Sequence, residues 1–198
     1  MKDQSLKLWQ EFRRSFIFHL KNTPQEKYYG MLDQTTNVSI KKNRTNFYSN
    51  YFIDKIALDL ELEKEKKEFL KIDISLVQRS VNFGWPVRKI FIEVENDLDG
   101  DPEREVQKLC SVYAPLKILI VWTWNSWDTI RQDHLVDNWS YILNSYHDVF
   151  VDLAGTFIVI IAETNFNSNT KKIRFLATSW NETQKTFDAE EVLFERTF

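Results

Sequence analysis

The sequence predicts an α/β protein with a central mixed β-sheet flanked by helices. Three observations predict it. Helical and strand periodicities alternate along the 198 residues. The run Leu116 to Trp124 is almost continuously apolar, the pattern of a strand covered on both faces. A composition of 43% hydrophobic and 15% aromatic residues, with only four Gly and four Pro, suits a packed core rather than a linker-rich chain.

Each element follows from local pattern. Leu6, Trp9, Phe12, Phe16 and Leu20 recur at spacings of three and four, which predicts an amphipathic helix over 4–20. Thr23-Pro24 restarts the chain into a shorter helix to about Leu32, and the polar, basic stretch 33–45 reads as a loop. Tyr48, Phe52, Ile56 and Leu60 repeat every four residues and predict a helix from Asn46 to about Leu60. Ile56, Leu58, Leu60 and Leu62 also alternate with Asp59, Glu61 and Glu63, which is a strand pattern. Phe69 to Val77 and Lys89 to Glu95 read as strands around the loop Asn82 to Pro86. Asp101-Pro102 opens a helix with Glu103 and Glu105 in its first turn. After the apolar strand a helix is expected over about 129–147. Thr156 to Ala162 and Lys172 to Ser179 then form two final strands around the Asn-rich turn 165–170. The length fits one domain, divided into a helical appendage (1–45), a core (46–124) and a C-terminal helix with strands (125–198).

Composition excludes several function classes. Four glycines leave no Gly-rich phosphate loop. The single Cys110 rules out a Cys-rich zinc site or an internal disulfide, and it reads as a core residue. His19, His134 and His147 have no metal-ligand spacing. Asp97 to Asp101 begins like a calcium loop but fails it in either register. No apolar run is long enough to span a bilayer, and no signal core follows Met1, so a cytoplasmic protein with no membrane contact is expected. A net charge of -3 gives no global attraction for nucleic acid. The groups Lys41/Lys42/Arg44, Arg79/Arg88/Lys89 and Lys171/Lys172/Arg174 are the local candidates for phosphate contacts, each with ordinary solvated surface as the alternative. Trp122, Trp124, Trp127 and Trp139 read as core packing rather than base stacking.

The chemistry concentrates between Lys71 and Tyr113. Lone acids interrupting apolar strands need compensation, because an unpaired buried carboxylate is costly. Residues two apart in a strand share a face, so Lys89, Phe91, Glu93 and Glu95 lie together while Ile90, Ile92 and Val94 fill the opposite side. Asp73 shares a face with Lys71 and Ser75. If the two strands are neighbours, Asp73, Glu93 and Glu95 converge, and such a cluster repels itself unless a cation compensates. Oxygen ligands in that number suit Mg²⁺, with Mn²⁺ as a substitute, and metal-assisted phosphodiester hydrolysis. The competing reading puts Glu93 and Glu95 on the solvent face of an edge strand.

The acids, strands and following helix over roughly 46–124 resemble the restriction-endonuclease-like core of the PD-(D/E)xK nuclease superfamily. The resemblance implies a nuclease-like core within the α/β fold, with N-terminal helices before it and a C-terminal hairpin after it. It also implies an Mg²⁺-dependent endonuclease of bacterial or phage source, acting on nucleic acid, DNA rather than RNA. Asp73 matches the family's first acid and Glu93 its second, both as metal ligands. Glu95 occupies the usual Lys position, where it could bind metal or take a proton from water. Lys71, Lys89 or Lys108 could then supply the ammonium; Lys89 sits about 13 Å along the strand from Glu93, too far for direct replacement. Gln107 and Tyr113 faintly resemble the Gln-bearing helix of some subfamilies. The alternative is an inactive relative that binds protein or nucleic acid, its aromatic surplus serving a homodimer or another partner.

Overall fold

The computed structural model describes residues 2–32, 43–82, 84–96, 102–123, 130–150, 153, 155–167 and 170–198. Helix α1 (Lys2–Lys21) buries Phe12, Phe16 and Leu20 along one stripe, as its spacing predicts. Helix α2 (Gln25–Leu32) is tied back by Tyr28, whose hydroxyl donates to the Leu20 carbonyl at 2.6 Å. The third helical segment begins at residue 43, passes through a π-turn (Tyr48–Phe52), and continues as α3 (Ile53–Asp59). The ambiguity at 56–62 resolves in favour of helix. Leu62 N–H donates to the Ala57 carbonyl at 2.8 Å and Glu61 N–H to the Leu58 carbonyl at 3.1 Å, with Glu61 at φ 55°. That double closure is a Schellman motif, which stops the helix just after Asp59.

Among the described residues, eight strands form one mixed sheet. Strands β1 (Glu63–Lys64), β2 (Ile74–Arg79) and β3 (Pro86–Glu95) run as an antiparallel meander. Helix α4 (Pro102–Cys110) then crosses to β4 (Leu116–Thr123), which is parallel to β3 and buried at all eight positions. A π-turn (Arg131–Trp139) and α5 (Ser140–Phe150) lead to β5 (Thr156–Asn167), parallel to β4. Strand β6 (Thr170–Asn181) returns antiparallel to β5, and β7 (Thr186–Phe187) and β8 (Glu191–Thr197) both pair with its other edge. Ile74, Ile92, Ile118 and Ile158 face α1–α3, while Phe91, Leu119 and Val159 face α4 and α5. The result is three layers, helix–sheet–helix, with the expected α/β class and central mixed sheet.

Several boundaries differ from expectation. The strand expected from Phe69 begins only at Ile74, because Leu70 (φ 52°) and Lys71 (φ 64°) turn the chain through the left-handed region. Neither residue is a Gly or Asn, so nothing local announces that turn. Asn165 and Asn167 belong to β5, paired with Lys172 and Thr170, so the hairpin is longer than the Asn-rich stretch suggests. Strands β7 and β8 extend the C-terminal part beyond a hairpin. Acids and Arg196 dilute the apolar alternation of β8, an edge strand that buries Leu193 and Phe194. The π-turn at 131–139 brings Ile130, Leu135, Trp139 and Leu143 into one buried line. Gly155 (φ +99°) starts β5 against β4; a Cβ there would lie 2.1 Å from the Ala114 carbonyl oxygen.

Candidate functional site

The register Ile74↔Ile92 brings the segment before β2 alongside the last residues of β3. Beyond that pair the ladder is continued by side chains. Asp73 N–H donates to Glu93 Oε2 at 3.2 Å, and Val94 N–H donates to Asp73 Oδ2 at 2.9 Å. Each carboxylate is therefore fixed by a backbone N–H that no strand partner takes. The Leu70–Lys71 turn delivers Asp73 to this position, and left-handed non-glycine residues are a recurring mark of functional segments.

Glu93 is only 1% exposed on a strand flanked by both β2 and β4, which overturns its placement on the solvent face of an edge strand. It points to the α4 side of the sheet, where Val106, Leu109 and Cys110 seat that helix. This seating carries Lys108 over the carboxylates. Its Nζ lies 2.8 Å from Glu93 Oε1, forms a second ion pair with Glu105 Oε2, and donates to the Lys71 carbonyl at 3.1 Å. Glu105, three residues earlier on α4, is a member that sequence reasoning missed. A Glu and a Lys at that spacing form a common solvated pair, and only the seating of α4 turns this one inward.

The electrostatics follow from burial and crowding. Desolvation, then the Asp73 charge, push the Glu93 carboxyl well above the ordinary carboxylate range. Desolvation also raises Asp73, against the Val94 hydrogen bond that lowers it. Burial alone would lower Lys108, but Glu105 and Glu93 outweigh it and hold the ammonium charged.

The remaining candidates scatter. Glu95 is half-buried two residues beyond Glu93, its Cα paired with Val121. Lys71 contributes its carbonyl to Lys108. Lys89 and Tyr113 line an apolar hollow with Phe69, Phe91 and Pro115, at the opposite end of β3 from Glu95. Gln107 lies on the exposed side of α4. Among the described residues no three Asp, Glu, His or Cys side chains are gathered as metal ligands; Asp73 and Glu93 meet as a pair. The calcium-loop stretch 97–101, Trp124, Trp127, Lys41 and Lys42 lie outside the described residues.

Most described members of the basic groups are engaged within the chain. Arg79 pairs with Glu63, Arg88 with Glu65, Lys172 with Glu195 and Arg174 with Glu163. Lys171 lies over the Tyr29 ring. Arg44 is buried, its guanidinium 4.5 Å from the Trp122 ring centroid, and desolvation pushes its pKa down to about 10. Trp122 and Trp139 are core residues, as expected. Cys110 is buried in the α4 core, where burial pushes its thiol up to about 12. His19 pairs with Asp59, and the His134 ring packs at a tilt against Trp139. No helix among the described residues is long and apolar enough to cross a membrane.

Compared with protein-family models, curated proteins and solved structures, the chain matches none.

The donor set fits a hard divalent cation. Glu93 Oε1 and Glu105 Oε2 are both buried, and the Lys108 ammonium meets the charge of each. Mg²⁺ is held in many sites by one or two carboxylates with water and phosphate oxygens completing the shell. Asp73 and Glu93 supply that number.

Proposed function

We propose that this chain is a metal-dependent phosphodiester hydrolase acting on nucleic acid in the cytoplasm, DNA more than RNA. One observation carries the reading: Asp73, just before β2, is tied to Glu93 and Val94 of β3, with the Lys108 ammonium 2.8 Å from Glu93. The order supports it as well. A helix, the antiparallel meander β1–β3, helix α4 and parallel β4 succeed one another as in the restriction-endonuclease-like core. The acids also sit at the carboxyl end of β3 beside parallel β4, where open α/β sheets place ligand sites.

In this reading Asp73 and Glu93 hold Mg²⁺, or Mn²⁺ in its place. When bound, the metal polarises a phosphoryl oxygen and lowers the pKa of water. Lys108 takes the role that Glu95 cannot fill, supplying a positive charge to a phosphate oxygen from α4 instead of from β3. In this reading Glu95, two residues beyond Glu93 on β3, orients water at the same strand end. The test is cleavage of single- and double-stranded DNA and RNA with Mg²⁺ or Mn²⁺, comparing wild type with Asp73→Ala. Metal-dependent cleavage lost in the variant is expected. Equal cleavage in wild type, Asp73→Ala and Glu93→Ala overturns the assignment.

A second reading is a relative without turnover that binds a protein or nucleic-acid partner. The in-chain pairing of Arg79, Arg88, Lys172 and Arg174 favours it, since these cations already have carboxylate partners. It predicts concentration-dependent self-association or partner capture with no metal-dependent turnover.

A further inference from the structure

We infer that Lys108 is the resident cation of this site, that a divalent metal replaces it on Glu93, and that Glu105 keeps the displaced ammonium beside the metal. This rests on the metal-site reading above. It goes beyond that reading by assigning the α4 pair a role in metal affinity.

Glu93 is 1% exposed, and its Oε1 is neutralised by Lys108 at 2.8 Å. An ammonium that close occupies the approach a metal would need, because two cations cannot share one carboxylate oxygen at contact distance without strong repulsion. The metal and the lysine must therefore exchange. Exchange alone would expel Lys108 from the site. Glu105 prevents that: its buried Oε2 already ion-pairs with the same Nζ, from one helical turn away on the same helix. The Lys71 carbonyl is a further anchor that the metal does not compete for.

The charges fit this division of labour. Asp73 and Glu93 together balance a divalent cation, and Glu105 separately balances the ammonium. Without Glu105, a metal and Lys108 would leave the cluster with excess positive charge. With it, both cations would be held at the same group of acids, the metal on Asp73 and Glu93 and the ammonium on Glu105. Glu105 is thus a positioning residue acting through Lys108.

The experiment is calorimetric titration of Mn²⁺ alone into wild-type protein, Lys108→Met, Glu105→Gln and the double variant, with folding checked by circular dichroism. Removing the competing cation is expected to tighten Mn²⁺ binding about tenfold or more in Lys108→Met. Glu105→Gln is expected to weaken it, because Lys108 then has Glu93 as its remaining carboxylate partner. That weakening shrinks when Lys108 is already Met, since the residue acts through the lysine. Lys108→Gln, which can still donate to the Lys71 carbonyl, serves if Lys108→Met does not fold. Mn²⁺ affinity in the lysine variants equal to or weaker than wild type overturns the inference while leaving the metal site standing. Absence of Mn²⁺ binding in every protein overturns it through its premise.

Discussion

Asp73 and Glu93 hold each other across two strands. The Asp73 N–H donates to Glu93 Oε2 at 3.2 Å, and the N–H of Val94, next to Glu93, donates to Asp73 Oδ2 at 2.9 Å. Carboxylates so placed repel, and a fold selected for stability alone would not set them face to face beside a third acid. Sites that trade stability for function behave this way. Glu93→Gln keeps the shape and the hydrogen-bond acceptor, removes one negative charge, and leaves Lys108 its partner Glu105. The metal-free variant is expected to be more stable than wild type by about 1 kcal/mol at neutral pH. Urea titration in the presence of a chelator measures this. A loss of stability would show that Glu93 is a structural ion-pair partner.

The same crowding sets a pH dependence. Glu93 has a folded-state pKa raised above its ordinary 4.5, so the folded state holds that proton more tightly than the unfolded chain. Its contribution to stability is fully present below 4.5, where both states are protonated at this group. The contribution falls as pH rises from 4.5 to the folded-state value, and it is flat above. Asp73, raised in the same direction, adds to the trend from its own ordinary 3.8 upward. The stability difference between Glu93→Gln and wild type should therefore widen in favour of the variant as pH rises through that window. Thermal unfolding of both proteins without metal over a pH series tests it; a constant difference would mean that Glu93 titrates as it does in the unfolded chain.

What was readable in the sequence follows from period and what was not follows from tertiary seating. Glu93 among Ile90, Ile92 and Val94 is visible because strand alternation has a period of two, and the structure keeps that division of faces. Lys108 is visible only as one of three lysines, since its direction depends on how Val106, Leu109 and Cys110 dock α4. Glu105 gives no signal at all, being spaced like any surface pair. The Leu70–Lys71 turn is hidden because its residues lack the glycine that left-handed backbone prefers. Arg44 reads as a basic surface residue, yet it is buried against Trp122, a partner 78 positions away in a strand whose face the local sequence does not reveal.

Glu61 offers a clean test of the α3 stop. It holds the αL position of the Schellman motif at φ 55° and is exposed to solvent. A side chain in that conformation costs roughly 1–2 kcal/mol, which glycine avoids. Glycine returns part of that gain as extra freedom in the unfolded chain, about 0.5–1 kcal/mol. Glu61→Gly should therefore raise the denaturation midpoint by an amount corresponding to about 0.5–1 kcal/mol, while Glu61→Val, β-branched at the same φ, should lower it. A fall in both variants would mean that the Glu61 side chain itself stabilises the turn.

Arg88 and Arg79 look equivalent in the sequence, both on the β2–β3 hairpin, and the structure separates them. Arg88 makes two parallel 2.9 Å hydrogen bonds to the Glu65 carboxylate, and its guanidinium lies 3.5 Å from the Phe69 ring centroid. Both partners are largely screened from water, at 26% and 18% side-chain exposure. Arg79 reaches Glu63 at 2.8 Å, but that pair is more than half exposed, at 55% and 57%. Bidentate geometry, aromatic stacking and partial desolvation each strengthen the first pair, while solvent screening weakens the second. Arg88→Ala is expected to cost about 1.5–3 kcal/mol, in the range of hydrogen bonds to charged groups. Arg79→Ala should cost under about 1 kcal/mol. Arg88→Lys should recover little, because a point-charge ammonium cannot reproduce the planar fork over Phe69. Equal costs for the two alanine variants would show that exposure does not decide between them.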